Sequence, residues 1–202
     1  MTDQELHDYS ADHLYYELWM LYETAARLVN DPAVRTDWVL KNALIESFTI
    51  HARSLAIFLY PEQAAKHQDD VTSDEYVAEV HKWRAARSPM PPELRTTVHR
   101  TGKEIAHLTT QRHPPGAPQK VWSPEPIFRV FFEPLRQFAA HVPAGRLDGS
   151  VSAFIASLPA SSAASPPPGA SASTAASGAA GLFGMTSVPT GRITHSTDVS
   201  TP

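Results

Sequence analysis

Between Pro32 and Pro61 the chain contains no proline and no glycine, and most of the residues there are apolar. Such a stretch can propagate a helix, and proline closes it because it lacks an N–H and clashes with the preceding turn. The reading is a helix from Asp37 to Tyr60, about 36 Å long at 1.5 Å per residue. Projected at about 100° per residue, Leu40, Leu44, Ser47, Phe48, His51, Leu55 and Phe58 fall on one face. Val39, Ile50 and Ile57 form one flank, and Ile45, Ala52 and Ala56 the other. A helix apolar over most of its surface is a central helix. Leu44, Phe48, Leu55 and Phe58 are therefore expected to be buried, with Leu18 and Leu108 among their neighbours. Asn42, Glu46, Thr49 and Arg53 share one narrow polar stripe, which is either a solvent seam or a lined cleft. His51 lies on the apolar face, where a hydrogen-bonded core histidine is expected rather than a ligand.

The remaining body also reads as helices. Leu14, Leu18, Leu21, Ala25 and Leu28 step by helical spacing, and Asn30-Asp31-Pro32 ends that run. Thr72 and Glu75 make a capping-box pattern ahead of Tyr76, Val77, Val80 and Trp83. After the rigid connector Ser88–Pro92, a fourth helix carries Leu94, Val98, Thr101, Ile105 and Leu108. Ser123-Pro124 opens a fifth, with Phe128, Phe131, Phe132, Leu135 and Phe138, and Pro134 is expected to kink it. Val130–Phe132 is β-prone, but Pro134 leaves a strand little room. The fold class is thus all-α, an antiparallel four- to five-helix bundle over residues 1–148. Asp148 is placed to cap a short docking helix over 149–158, with Val151, Phe154, Ile155 and Leu158 on one side.

Composition changes beyond that point. From Pro159 to Gly181 every residue except Thr174 is Ala, Ser, Pro or Gly. Only Arg192 and Asp198 carry formal charge between Gly149 and Pro202, so the net charge of −4 resides in residues 1–148. Residues 159–202 are therefore expected to be a disordered tail. A body without basic excess is not expected to hold long DNA. No apolar run is long enough to span a membrane. The start Met1-Thr2-Asp3-Gln4-Glu5 lacks the basic and apolar regions of a secretory signal, so a cytoplasmic protein is expected.

Several chemistries are excluded by residue type. Gly102 and Gly116 are the only glycines before residue 145, so there is no phosphate-cradling glycine loop. The chain has 0 cysteines, which removes disulfides, thiolate metal sites and cysteine nucleophiles. A metal centre would need His51, His99, His107 and Glu46 to converge, and no His-x3-His pair fixes two ligands on one helix. No metal and no cofactor are expected.

The fourth helix offers one constellation, Arg100-Thr101-Gly102-Lys103-Glu104-Ile105-Ala106-His107. Seven positions are two α-helical turns, so Arg100 and His107 would share a face with Lys103 and Glu104 between them. A guanidinium can grip a phosphate bidentately, and an imidazole can move a proton at neutral pH. A second pair, Arg136 and His141, is five apart and would not share a face.

An all-α body with Arg-x6-His on its fourth helix resembles the HEPN superfamily of small helical bundles. The segments Asn42–Arg53 and Lys103–Thr109 also look like a group of uncharacterised bacterial helical proteins. The resemblance covers roughly residues 10–142. It implies a homodimer and a metal-independent endoribonuclease of toxin or defence type that cuts single-stranded RNA by transesterification. An antitoxin or other protein would be the partner. By the motif Arg100 would bind phosphate and His107 would be catalytic, with Lys103, Glu46, Asn42 and Arg53 in support. Thr101 follows Arg100 where the family often has Asn, His or Asp. The alternative is a non-enzymatic helical protein-interaction module, working through the bundle or through Val151–Leu158. The discriminating observation is whether Arg100 and His107 are exposed or tied into intrachain pairs.

Overall fold

The computed structural model describes residues 1–63, 67–107, 110 and 121–160. Among them the fold is all-α, with no strand. The segment assigned to a disordered tail lies outside the described residues beyond Ala160, and so does Leu108.

Thr2 opens α1 (Asp3–Tyr9) with a reciprocal capping box to Glu5. A π-helical turn, Ser10–Leu14, carries α1 into α2 (Tyr15–Asn30) without a break. A single turn, α3 (Ala33–Thr36), follows Pro32. The long helix is α4 (Trp38–Leu59), where the sequence places it. Asp37 caps it by accepting from the Leu40 N–H at 2.9 Å.

The capping box at Thr72 and Glu75 forms, but it starts only a short turn, α5 (Ser73–Tyr76). Val77 is extended, and the chain re-enters a helix at α6 (Val80–Ala86). The expected single third helix is therefore two. The break lets Tyr76 and Trp83 both point inward, each fully buried. The Tyr76 hydroxyl donates to the Leu6 carbonyl at 3.1 Å, which ties α5 to α1.

Next come α7 (Pro92–Arg100) and a second π turn, Thr101–Ala106. The fifth predicted helix divides into α8 (Pro124–Arg129) and α9 (Phe132–His141). The division falls at Val130–Phe131, where the missing N–H of Pro134 leaves the Val130 carbonyl without its helical donor. Last is α10 (Gly149–Ser157), capped by Asp148, which accepts from the Ser150 N–H at 2.7 Å. Its apolar stripe Val151, Phe154, Ile155 and Leu158 is buried in the common core. That stripe is docked on its own chain and is not a free surface for a partner.

The most extensive packing is between α2 and α4, then between α4 and α7. α2 and α4 run antiparallel, joined by the short α3 corner. Phe48, Leu55 and Leu59 of α4 and Leu18, Leu21 and Ala25 of α2 are all buried in one continuous core. At one end Phe58, Tyr76, Trp83 and Phe138 meet edge to face, with centroids 5.2 Å apart for Phe58–Phe138 and 5.9 Å for Trp83–Phe138. Leu44 departs from expectation and is only half-buried. The reason is coverage: the Thr101–Thr49 contact places the end of α7 halfway along α4, so the first half of α4 lacks that neighbour.

The C-terminal end of α4 is closed by a buried arginine. Arg87 is 7% exposed, and it donates to the Leu59 carbonyl and to the Glu62 carboxylate. Its guanidinium lies 4.4 Å from the Tyr60 ring centroid and 5.2 Å from that of Trp83. Burial pushes the Tyr60 phenol up to about 12, and its hydroxyl has no hydrogen-bond partner among the described residues.

Two substitutions check this architecture. Leu55→Ala should cost ~2–5 kcal/mol in urea unfolding, and Leu44→Ala distinctly less, because only the first leaves a sealed cavity. Arg87→Ala should cost about 3 kcal/mol, since it removes the main donor from the Leu59 carbonyl, leaving the weaker Ser73 contact, and takes the guanidinium from between the two buried rings. Arg87→Lys should recover only part, because one ammonium cannot serve both oxygens and the two rings.

Candidate functional site

Arg100 is the last residue of α7, and its side chain is engaged. It grips Glu104 bidentately, with Nε and Nη2 each donating at 2.9 Å. Nη1 donates to the Val121 carbonyl at 3.3 Å. The guanidinium plane rests 4.0 Å from the Trp122 ring centroid. All three nitrogens are thus used, and the group pins residues 121–123 against the end of α7. A shallow surface cleft of about 330 Å³ lies beside it, lined by Pro92, Thr96, Trp122 and Ile127 among others.

His107 is exposed. It follows the last helical residue in extended backbone, with φ −127° and ψ 144°. Between it and Arg100 the chain makes a π turn, whose i→i+5 bonding widens the helix. Seven positions therefore do not amount to two α turns here, and the shared face expected from the spacing does not follow. Glu104 and His107 have the i, i+3 spacing of a helical ligand pair. Glu104 is spent on Arg100, however, and His107 lies past the helix end. Among the described residues no group of three or more His, Asp or Glu is placed to hold a metal ion.

The supporting candidates separate. Thr101 is buried, and its hydroxyl donates to the Thr49 carbonyl at 3.4 Å, so it joins α7 to α4. Thr49 is buried with it, which removes it from the polar stripe. Asn42 and Glu46 are exposed on the outer side of α4, and Lys103 is exposed on the π turn. Arg53 is half-buried in a different place, a cleft of about 360 Å³. The structure does not gather Asn42, Glu46 and Arg53 with Arg100 into one pocket.

The cleft around Arg53 opens between the Ser10–Leu14 π turn, the start of α2, the second half of α4 and the segment His67–Val71. His51 stands behind it, 8% exposed. Its Nδ1 meets Glu17 Oε2 at 2.8 Å. A carboxylate oxygen only accepts, so Nδ1 carries the hydrogen. The Tyr16 ring meets the imidazole edge-on at 5.5 Å between centroids. This is the hydrogen-bonded core histidine expected from its helix face. Glu17 was not marked by any spacing in the sequence, because its partner lies 34 residues away on another helix. Tyr9 also lines the cleft, and burial first, then Glu17, Glu75 and Asp70, push its phenol above the usual tyrosine range.

No family model, no curated protein and no solved structure matches the chain.

Glu17→Leu should cost ~1–3 kcal/mol, because it strands the buried His51 N–H. Arg100→Ala should cost less, about 1 kcal/mol, since its partners keep access to water. Urea denaturation of both variants beside the parent chain measures the order.

Proposed function

We propose that the chain is a helical protein-interaction module, and that it pairs with a second copy of itself through the outer strip of α4. The observation that carries this reading is the exposure of large apolar residues on one helix side. Trp38 is 71% exposed, Val39 78% and Ile50 48%. Asn42, Ala43 and Glu46 lie between them on the same side and are also exposed. The strip is self-complementary under a two-fold axis. Antiparallel pairing centred near residue 44 puts Trp38 opposite Ile50 of the second copy. It also puts the Asn42 amide opposite the Glu46 carboxylate of the second copy, and symmetry makes that contact twice. The engagement of Arg100 by Glu104 and Trp122 favours this reading over catalysis, because a phosphate would have to displace an existing bidentate partner.

A second reading is the HEPN-type metal-independent endoribonuclease. The exposure of His107 favours it, as does a quarter of the Arg100 side chain remaining accessible beside Trp122. In that reading the 2′-OH of single-stranded RNA attacks the neighbouring phosphate. His107 would move the proton, and Arg100 would stabilise the charge after leaving Glu104.

Two measurements separate them. Light scattering on the full chain should give a dimer mass, and Trp38→Glu or Ile50→Glu should return a folded monomer. A parent chain that stays monomeric at about 100 μM, weaker than most specific interfaces, would remove the self-pairing. Incubation with single-stranded RNA in EDTA should give no cleavage. Products ending in 2′,3′-cyclic phosphate that disappear in both Arg100→Ala and His107→Ala would put the ribonuclease reading in front.

A further inference from the structure

Neither of these readings uses the cleft in front of Glu17 and His51. Its chemistry is two-sided. Arg53 is half-buried there and, among the described residues, forms no hydrogen bond or ion pair. A guanidinium held partly away from water and bonded to none of the described residues keeps its planar fork for a carboxylate or phosphate. The same cleft is lined by three acidic residues, Glu17, Asp69 and Asp70. Each of Glu17 and Asp70 has one oxygen spoken for, by the His51 ring at 2.8 Å and by the His67 N–H at 2.7 Å. Among the described residues nothing donates to their second oxygens, which can serve a ligand. Acceptors of this kind suit an ammonium group.

The balance of charge narrows the ligand further. Among the described lining residues, three carboxylates stand against one guanidinium, which disfavours a phosphate or any polyanion. His13 and His67 also line the cleft, but the His13 ring lies tilted against Tyr9 at 4.6 Å between centroids and both histidines are exposed. The phenol rings of Tyr9 and Tyr16 form a wall on which an ammonium gains cation–π attraction. Leu55, Ile57 and Phe58 contribute an apolar floor. The volume of about 360 Å³ suits a ligand of dipeptide size rather than an ion. The π turn at Ser10–Leu14 supplies His13 and Leu14 to the rim, and such turns recur at ligand sites.

We propose that this cleft binds a small zwitterion with an apolar body, a dipeptide or an apolar amino acid. Its carboxylate sits on Arg53, its ammonium lies between Glu17 and Asp70 beside the tyrosines, and its side chains rest on the Leu55–Phe58 floor.

Isothermal titration of the full chain with leucyl-phenylalanine tests this, alongside the N-acetyl form and the C-terminal amide of the same dipeptide. The unmodified dipeptide should bind with a Kd of about 1 mM or tighter, and each blocked form about tenfold more weakly. Arg53→Gln should erase the preference for the free carboxylate over the amide. Asp70→Asn should weaken the preference for the free amine over the acetylated one. Both variants should keep the parent helical signal in circular dichroism and the parent Tm. Equal binding of all three dipeptides would overturn the proposal, as would no heat of binding at about 10 mM. Tighter binding of inorganic phosphate or of a nucleoside monophosphate would also overturn it and would make Arg53 an anion site.

Discussion

Every helix end leaves carbonyls that need a donor, and the end of α4 has neither a glycine nor a left-handed residue to turn the chain back on them. Arg87 supplies the donor from the end of α6, 28 residues further along the chain. Its positive charge also sits at the negative end of the longest helix. The consequences spread outward. Arg87 can reach Leu59 only if α6 lies across that end, which places Trp83 over Phe138 of α9. The Trp83 indole N–H then donates to the Ser73 hydroxyl at 3.2 Å, and that hydroxyl donates to the same Leu59 carbonyl at 3.5 Å. One carbonyl thus gathers α4, α5 and α6, and through Trp83 it reaches α9.

How much of this was legible depends on whether the signal was local. The bounds of α4 followed from Asp37 and Pro61, because a cap and a proline act within one turn. The same holds for α10, whose cap and apolar spacing sit within the eleven residues from Asp148 to Leu158, and for the break at Val130, set by Pro134 four residues on. The division of the third helix was not legible. Tyr76, Val77, Val80 and Trp83 read equally well as one stripe, and only the pull of Leu6 on Tyr76 and of Leu59 on Arg87 opens it at Val77. Leu44 failed for a related reason. Periodicity states which face a residue is on, and it does not state how far along the helix a neighbour extends.

The candidate site shows the same limit more sharply. The seven-residue spacing of Arg100 and His107 puts them on one face only where α geometry runs throughout, and the π turn between them breaks it. Residue type alone could not show that Trp122 would lie under Arg100, because the two are joined by no periodic pattern. Thr101 was read beside Arg100 as part of a motif, yet its hydroxyl serves the backbone of α4. His51 was readable because its helix face was apolar, and a buried imidazole requires a partner. The identity of that partner, Glu17, depended on α2 and α4 being antiparallel and in one particular register.

The π turn at Ser10–Leu14 sets a different register, that of α1 against α2. It amounts to one residue more than an α-helix would use, and each residue of an α-helix turns the chain by about 100°. Leu6 before the turn and Leu14 at its end both reach the core only because the wider turn absorbs the difference. The buried Ser10 hydroxyl within it receives the Asp148 N–H at 2.8 Å, so the docking of α10 is keyed to the same spot. Loss of one residue between Ser10 and Tyr15 would let the turn close into plain α-helix with Leu6 still facing the core, whereas one residue more would find no slack and would swing α1 through roughly a quarter-turn relative to α2. That swing would face Leu6 toward water. The first thirty residues thus behave as a key already cut one notch long, tolerant of exchange at exposed positions such as Asp12 and intolerant of insertion.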